Sequence, residues 1–495
     1  MRKTNTPSFV LSLKLNTSKQ SVCVLDKRFL YGCRIYNTLV KYIRKQLCKM
    51  RADKEYQRFM EQYCKLKGDK PDIKKQRTVI GKQLSEIRLY YGLSEYQLHA
   101  FVKEQQHRYA RDIDSNTAQK IATSVWKAVE KVIYGNGKCI HFKKYNELYS
   151  MEGKNNVTGI RYKNGRFTWN GLTISVQHDK NDVYEQIALQ NRIKYCRIKR
   201  IPMGIRYHYY LELVLEGLPP AKHVVGNGRV GIDIGTSTIA VVSENNYCKL
   251  DKLAKEADSI EKTQRIMLRK LDRSRRATNP DNYNPDGTVK TGRLKWEYSN
   301  TYRKMYMRYK SLCRKRAAVV KQSHETFANE ILEHGNIIRV EKLSFTGLAK
   351  RTKEVKRNLN GKYKSRKRFG KSIQSRAPSM FLSIIKRKLS YIGQELIYVD
   401  TVKFRASQYN HVEDTYIKSK LSDRYKIIDG HKIQRDLYSA FLIMNSNDTN
   451  DNTDRLRCLE TFEYFRRMHD DCVRELINSN YKYPSSMGLK YFAII

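Results

Sequence analysis

A chain of 495 residues exceeds what one ordinary hydrophobic core organises, so two to four folding units are expected. Its 40% hydrophobic and 11% aromatic content excludes a disordered chain, and 97 Lys and Arg against 49 Asp and Glu leave a net charge of +48. Such a surplus repels itself unless a polyanion neutralises it, which implies nucleic acid as partner; an AT-rich genome would inflate Lys, Asn, Ile and Tyr, but does not explain segments in which Arg clusters with Lys. No apolar run approaches the roughly 18–20 residues of a membrane span, and Lys14 interrupts the only signal-like stretch after Arg2 and Lys3. The expectation is no membrane partner and an intracellular location. Ten cysteines without a CxxC pair argue against a disulfide framework and a zinc ribbon, and predict free thiols.

In chain order, Phe9, Leu11, Leu13 and Leu15 alternate with Val10, Ser12 and Lys14, the period of a half-buried strand. From Phe29 the apolar positions 30, 33, 36, 39, 40, 43 and 47 take helical spacing. The pattern recurs through Ile121, Ala122, Val125, Trp126, Val129 and Ile133 before Gly135, so residues 27–135 are predicted as a helical block. Between 136 and 218 the texture is that of strands, with turn signals at Asn164-Gly165 and Asn170-Gly171 and an alternating run Tyr207, Tyr209, Leu211, Leu213, Leu215. This is the pattern of a small β-barrel or sheet, so one β domain interrupted by a helical one is expected.

Pro219-Pro220 and Gly226-Asn227-Gly228 mark a boundary, after which strands and long basic helices alternate, with a helix over 380–394 leading into a strand over 396–399. That is α/β texture. Residues 445–454 are polar and read as a loop, and 455–480 as a closing amphipathic helix. The expected fold class is multidomain α+β.

Three acids carry the chemistry. Asp233 lies in the apolar strand Arg229-Val-Gly-Ile-Asp-Ile, followed by a tight Gly turn and a second strand over 239–242. Burying a lone carboxylate is costly, so a metal ion or a cation is expected beside it, with a structural acid in a strand-end turn as the alternative. Glu341 ends a second short apolar strand, Asn336-Ile-Ile-Arg-Val-Glu. Asp436 precedes the apolar run Leu437, Tyr438, Ala440, Phe441, Leu442; alone it reads as a helix-start acid complementing the dipole. Together the trio can supply the converging anionic oxygens that two divalent cations about 4 Å apart require.

The segments GIDIGTS at 231–237, IIRVEKLS at 337–344 and QRDLYSAF at 434–441, with a basic arm over 261–276, resemble the RuvC-type nucleases of TnpB-like proteins and compact type V CRISPR effectors. The resemblance covers essentially the whole chain. It implies a wedge β-barrel domain in two parts, 1–26 and 136–225, interrupted by a helical recognition domain over 27–135, and then a RuvC (ribonuclease-H-like α/β) nuclease domain over 226–495 with a helical tail from 455. It implies Asp233, Glu341 and Asp436 as Mg²⁺ ligands, with Mn²⁺ as a substitute, in an RNA-guided DNA endonuclease. Its partners would be a guide RNA, double-stranded target DNA and the displaced strand, with one chain per guide, in the cytoplasm of a prokaryotic cell.

Many relatives place a four-Cys zinc ribbon before the third acid, whereas residues 401–435 contain no Cys, and His411 and His431 are too few ligands; no structural zinc is expected. Relatives also often carry Asn where this chain has Tyr438.

Two other readings compete. GIDIGTS also resembles the first phosphate loop of actin-like sugar kinases, but the chain has no Gly-Gly dipeptide for further phosphate loops, and +48 suits no small sugar. A guided repressor that never cuts is opposed by the intact trio.

The basic segments are the expected phosphate contacts: Arg269, Lys270, Arg273, Arg275 and Arg276 on the arm; Arg303, Arg308, Arg314 and Arg316 in a run, 303–321, with eight basic residues and no acid; and Lys362, Lys364, Arg366, Lys367 and Arg368 in a segment, 350–376, holding twelve Lys and Arg against Glu354. Tyr302, Tyr306 and Tyr309 are interleaved in the second run, where base stacking and core packing explain them equally well. For the charge runs the alternative is a solvated surface.

Overall fold

The first strand, β1 (Ser8–Leu15), alternates exposed and buried residues along its whole length, with Phe9, Leu11, Leu13 and Leu15 inward as the period predicts. The computed structural model describes the chain except residues 1–5, 69, 136, 205, 356, 359, 362, 364–368, 419, 421–422 and 493–495. It divides into two compact units, Met1–Pro220 and Ala221–Ile495.

In the first unit, helix α1 (Lys19–Ala52) starts earlier than the apolar spacing from Phe29 gives, because the Ser18 side chain caps it by accepting from the Ser21 amide at 3.1 Å. Helices α2 (Lys54–Lys65), α3 (Pro71–Tyr90), α4 (Glu95–His107) and α5 (Ser115–Ile133) complete the helical block. Strands β2 (Ser150–Glu152), β3 (Arg161–Lys163), β4 (Arg166–Trp169) and β5 (Leu172–Gln177) follow, then the short α6 (Val183–Leu189), β6 (Ile193–Met203) and β7 (Arg206–Glu216). Both Asn-Gly pairs form the predicted two-residue hairpin turns, with positive φ at Asn164 (49°), Gly165 (72°), Asn170 (38°) and Gly171 (75°).

The sheet runs β2-β6-β7-β1-β5-β4-β3, all antiparallel, and its ladder stays open between β2 and β3 among the described residues, while β3 curls back against β6. It is thus a half-closed sheet, where a small β-barrel or sheet was expected. One hydrophobic core joins this sheet to α1 and α5. Polar ties reinforce it: Trp169 Nε1 donates to Asp114, the cap of α5, at 2.8 Å.

The second unit opens with β8 (Arg229–Ile234), β9 (Thr238–Ser243) and β10 (Tyr247–Lys252), an antiparallel meander. Helices α7 (Asp258–Thr278) and α8 (Asn300–Glu333) form a hairpin; α7 is the expected arm, and the basic run 303–321 lies within the single long helix α8. Then come β11 (Ile337–Glu341), α9 (Phe345–Ala349), α10 (Gly370–Arg376), α11 (Pro378–Tyr391), β12 (Ile397–Val399) and α12 (Thr401–Phe404). Helix α11 stops short of 394 because Gly393, at φ 73°, turns the chain so that the Gln394 amide bonds back to Leu389.

Two small hairpins occupy the segment before Asp436: β13 (Tyr409–Asn410) with β14 (Thr415–Tyr416), and β15 (Tyr425–Ile428) with β16 (His431–Gln434). Helices α13 (Arg435–Met444) and α14 (Arg455–Asn478) close the chain. The sheet order is β10-β9-β8-β11-β12, with β11 parallel to both β8 and β12. Val230, Ile232 and Ile234 pack with Val340 against α8 and α11, whereas Ala240, Val242 and Val399 pack against α13 and α14. The sheet is therefore covered on both faces. Among the described residues no helix is long and apolar enough to cross a membrane, and all ten cysteines are free thiols.

Candidate active site

Side chains alternate across a strand, so with Val230, Ile232 and Ile234 turned to α8 and α11, Arg229, Gly231 and Asp233 face α13. The same alternation turns Ile338 and Val340 away and puts Arg339 and Glu341 on the α13 face. The parallel register pairs Val340 with Ile232, and one step further sets Glu341 beside Asp233. Both acids thus stand at the carboxyl ends of adjacent parallel strands, where open α/β sheets present ligand sites.

Asp436 arrives from the opposite side, in the first turn of α13. Its position depends on Gly231: a Cβ there would lie 2.1 Å from the Ala440 carbonyl oxygen and 2.4 Å from the Met444 amide, so only glycine lets α13 cross β8 this closely. The fully buried Gln434 caps the helix. Its side chain accepts from the Leu437 amide at 2.8 Å and donates to the Met487 carbonyl at 3.1 Å and to Asp436 at 3.4 Å. Gln is an uncommon cap, so nothing in the sequence flagged it.

The three acids act on one another. Burial, then the charges of Asp436 and Glu341, hold the Asp233 carboxyl well above the usual carboxylate range, and the Arg435 guanidinium opposes them. Burial likewise raises Glu341. Arg435 stands 3.4 Å from Asp436 and is anchored by donation to the Asp423 carbonyl at 2.9 Å. Close by, burial and then Arg435 hold the Lys426 ammonium down to about 8. Among the described residues no three His, Cys, Asp or Glu side chains are gathered tightly enough to share one ion. The charges of Asp436 and Glu341 reach Asp233 through the field, with Arg435 as the cation beside them.

The cysteine-free segment before Asp436 is held by packing. His411, fully buried, shares a 2.8 Å Nδ1 hydrogen bond with the Tyr438 hydroxyl, and its ring meets Phe441 and Phe462 edge-on. Arg455 donates to the His411 and Val412 carbonyls, each at 2.9 Å. Tyr438 is therefore a partner of this segment.

Of the expected phosphate contacts, Arg269, Lys270, Arg273, Arg303 and Arg308 are exposed on α7 and α8 and have no ion pair among the described residues. Arg275 and Arg276 each pair with Asp272 at 2.8 Å and lie over Tyr283, so they fasten the tip of the hairpin. Arg314 and Arg316 are half-buried. Lys362, Lys364, Arg366, Lys367 and Arg368 lie outside the described residues.

No family model matches the chain, and no curated protein matches it. Among solved structures, it is similar to a Cas12f1 chain in a complex with single-guide RNA and target DNA, at 11% identity and a TM-score of 0.44, covering 90% of this chain and 99% of that one. A CRISPR-Cas12f ternary complex matches at 13% identity and a TM-score of 0.24 over 88% and 99%. A Cas12i variant bound to crRNA and double-stranded DNA matches at 10% identity and a TM-score of 0.25 over 91% and 64%.

Proposed function

We propose that this chain is an RNA-guided, metal-dependent DNA endonuclease that cuts target DNA beside a short flanking motif with a single RuvC-type active site. The observation that carries the reading is the Asp233 carboxyl at a strand end, beside Glu341 on the adjacent parallel strand and raised by burial and then by the charges of Asp436 and Glu341. Groups perturbed by burial and by like charges mark functional sites, because a protein that needed only stability would replace them.

The donor set fits a hard divalent cation, three carboxylates and no soft ligand. Asp233, Glu341 and Asp436 would hold Mg²⁺, or Mn²⁺ in its place, which when bound activates water and steadies the leaving oxygen of a phosphodiester. The chain's own groups set the frame. Gly231 and Gln434 fix α13 over the strand ends, and Arg435, beside Asp436, keeps positive charge where a phosphate would approach.

RNA guidance rests on the resemblance of the three motifs and of the domain order, with the half-closed sheet as wedge, α1–α5 as recognition domain and the second unit as nuclease. Guide RNA, duplex target and displaced strand are the partners of this reading, and the +48 charge supports a polyanionic partner. The chain expressed with its native flanking locus should co-purify with one discrete structured RNA. Changing the guide segment should then move cutting to the matching DNA. Cutting indifferent to the RNA would remove guidance and leave the nuclease; a bound RNA with no cutting under varied Mg²⁺ and flanking motifs would turn the reading to a repressor; sugar phosphorylation without RNA would overturn it.

A further inference from the structure

The hairpin of α7 and α8 is inserted between β10 and β11, so it grows out of the sheet that bears Asp233 and leads into the strand that bears Glu341. Its helices run antiparallel, with Gln264 against Cys313 at 3.2 Å and Ser274 against Ser299 at 3.4 Å. Residues 300–319 of α8 include no fully buried side chain, so this half of the helix leans on α7 without a core of its own. Aromatic rings run along it. Tyr298, Tyr302, Tyr306 and Tyr309 follow one another with centroids 4.7, 6.1 and 6.5 Å apart and planes within 28° of parallel. The last two spacings are too long for face-to-face cover, so the rings form a stepped shelf, with Tyr298 and Tyr306 exposed at 41% and 39%.

At 3.6 residues per turn, Arg303, Lys310 and Arg314 fall about a quarter-turn to one side of the shelf, and Lys310 Nζ lies 4.9 Å over Tyr306. Between residues 258 and 324 there are 18 Lys and Arg against six Asp and Glu. A hairpin held only by apolar packing would have no use for this surplus; a strand with stackable bases and a phosphate backbone uses both features.

The geometry points to the tyrosine shelf of α8 as a binding track for single-stranded DNA, with the rings taking bases and the flanking cations taking phosphates. A duplex keeps its bases stacked inside and can use only the cations. The inference rests on the nuclease reading for its choice of DNA: the hairpin joins β10, in the sheet that bears Asp233, to β11, the strand that bears Glu341, so the strand it grips is the substrate.

The test is binding by the full chain in EDTA, which separates its failure from a failure to cut. With an oligothymidine strand as probe, Tyr298→Ala with Tyr306→Ala should weaken binding about tenfold or more. A blunt duplex should be nearly unaffected, and Tyr298→Phe with Tyr306→Phe should restore the strand. Arg303→Gln with Arg308→Gln should weaken both probes and lower the salt slope by about one unit per lost contact. Circular dichroism should show each variant folded. Unchanged strand binding in the folded alanine variant, an equal loss on strand and duplex, or a loss confined to an RNA strand would each overturn the proposal.

Discussion

The seven-stranded sheet and the acid-bearing strands β8 and β11 treat charge in opposite ways. In the seven-stranded sheet the deep charges find partners: Glu212 stands between Arg197 at 3.0 Å and Lys199 at 2.8 Å. Arg200, fully buried, donates to the Leu148 carbonyl at 2.9 Å and to Asp26 at 3.3 Å, with its guanidinium over Phe29, Tyr145 and Tyr207. In the five-stranded sheet Asp233 and Glu341 instead face a third acid, and Arg435 is the cation set against them. Paired charges hold the first unit together, whereas the second, beside paired charges such as Arg376 with Glu261, keeps repelling acids that weaken it. Clustered like charges persist where chemistry needs them.

That contrast predicts stability changes of opposite sign. Arg200→Met should destabilise the first unit by about 3–5 kcal/mol, since it strips the Leu148 carbonyl and Asp26 of their cation inside a packed aromatic cage; urea unfolding measures it. A cost under about 1 kcal/mol would mean that the pair is ornamental.

Asp233→Asn should do the reverse in metal-free buffer, stabilising the second unit by about 0.5–2 kcal/mol at neutral pH. The sign follows from proton uptake. With its folded pKa raised above the ordinary 3.8, Asp233 binds more protons folded than unfolded, so stability falls as pH rises from about 3.8 through the raised value. The asparagine variant lacks that loss, and the gap between the two proteins should close as pH falls below about 3.8. Thermal melts in EDTA at both ends of the window check it.

The smallest effect concerns the segment before Asp436. Tyr438→Phe removes the hydroxyl that meets both the His411 ring and its amide, and should cost about 1 kcal/mol. Burial, then the Arg455 charge, hold His411 down to about 4 against an ordinary 6.5. The unfolded chain therefore takes a proton that the fold refuses, and the stability of this unit should fall as pH drops through that window. His411→Asn should flatten the fall.

Period and turn chemistry made much of this fold legible in the sequence. Alternation placed β1 and β7, the Asn-Gly pairs placed two hairpins, and apolar strands ending in acids pointed to Asp233 and Glu341. Tertiary facts were not legible. Nothing local says that Gly231 faces the α13 backbone, that Gln434 caps the helix of Asp436, or that Tyr438 reaches His411 across 27 residues. The boundary of α1 was displaced because the apolar residues of its first turns, Val22, Cys23, Val24 and Leu25, are consecutive rather than helically spaced, although Ser18 is an ordinary cap.

The most direct test of the carboxylate site is cleavage of guide-matched DNA in Mg²⁺ by the RNA-loaded chain and its Asp233→Ala, Glu341→Ala and Asp436→Ala variants, with DNA binding measured alongside. The account predicts that each substitution slows cutting about a thousandfold or more, the weight of several kcal/mol of transition-state stabilisation, while DNA binding persists. Near-normal cutting by Asp233→Ala or Glu341→Ala would contradict it.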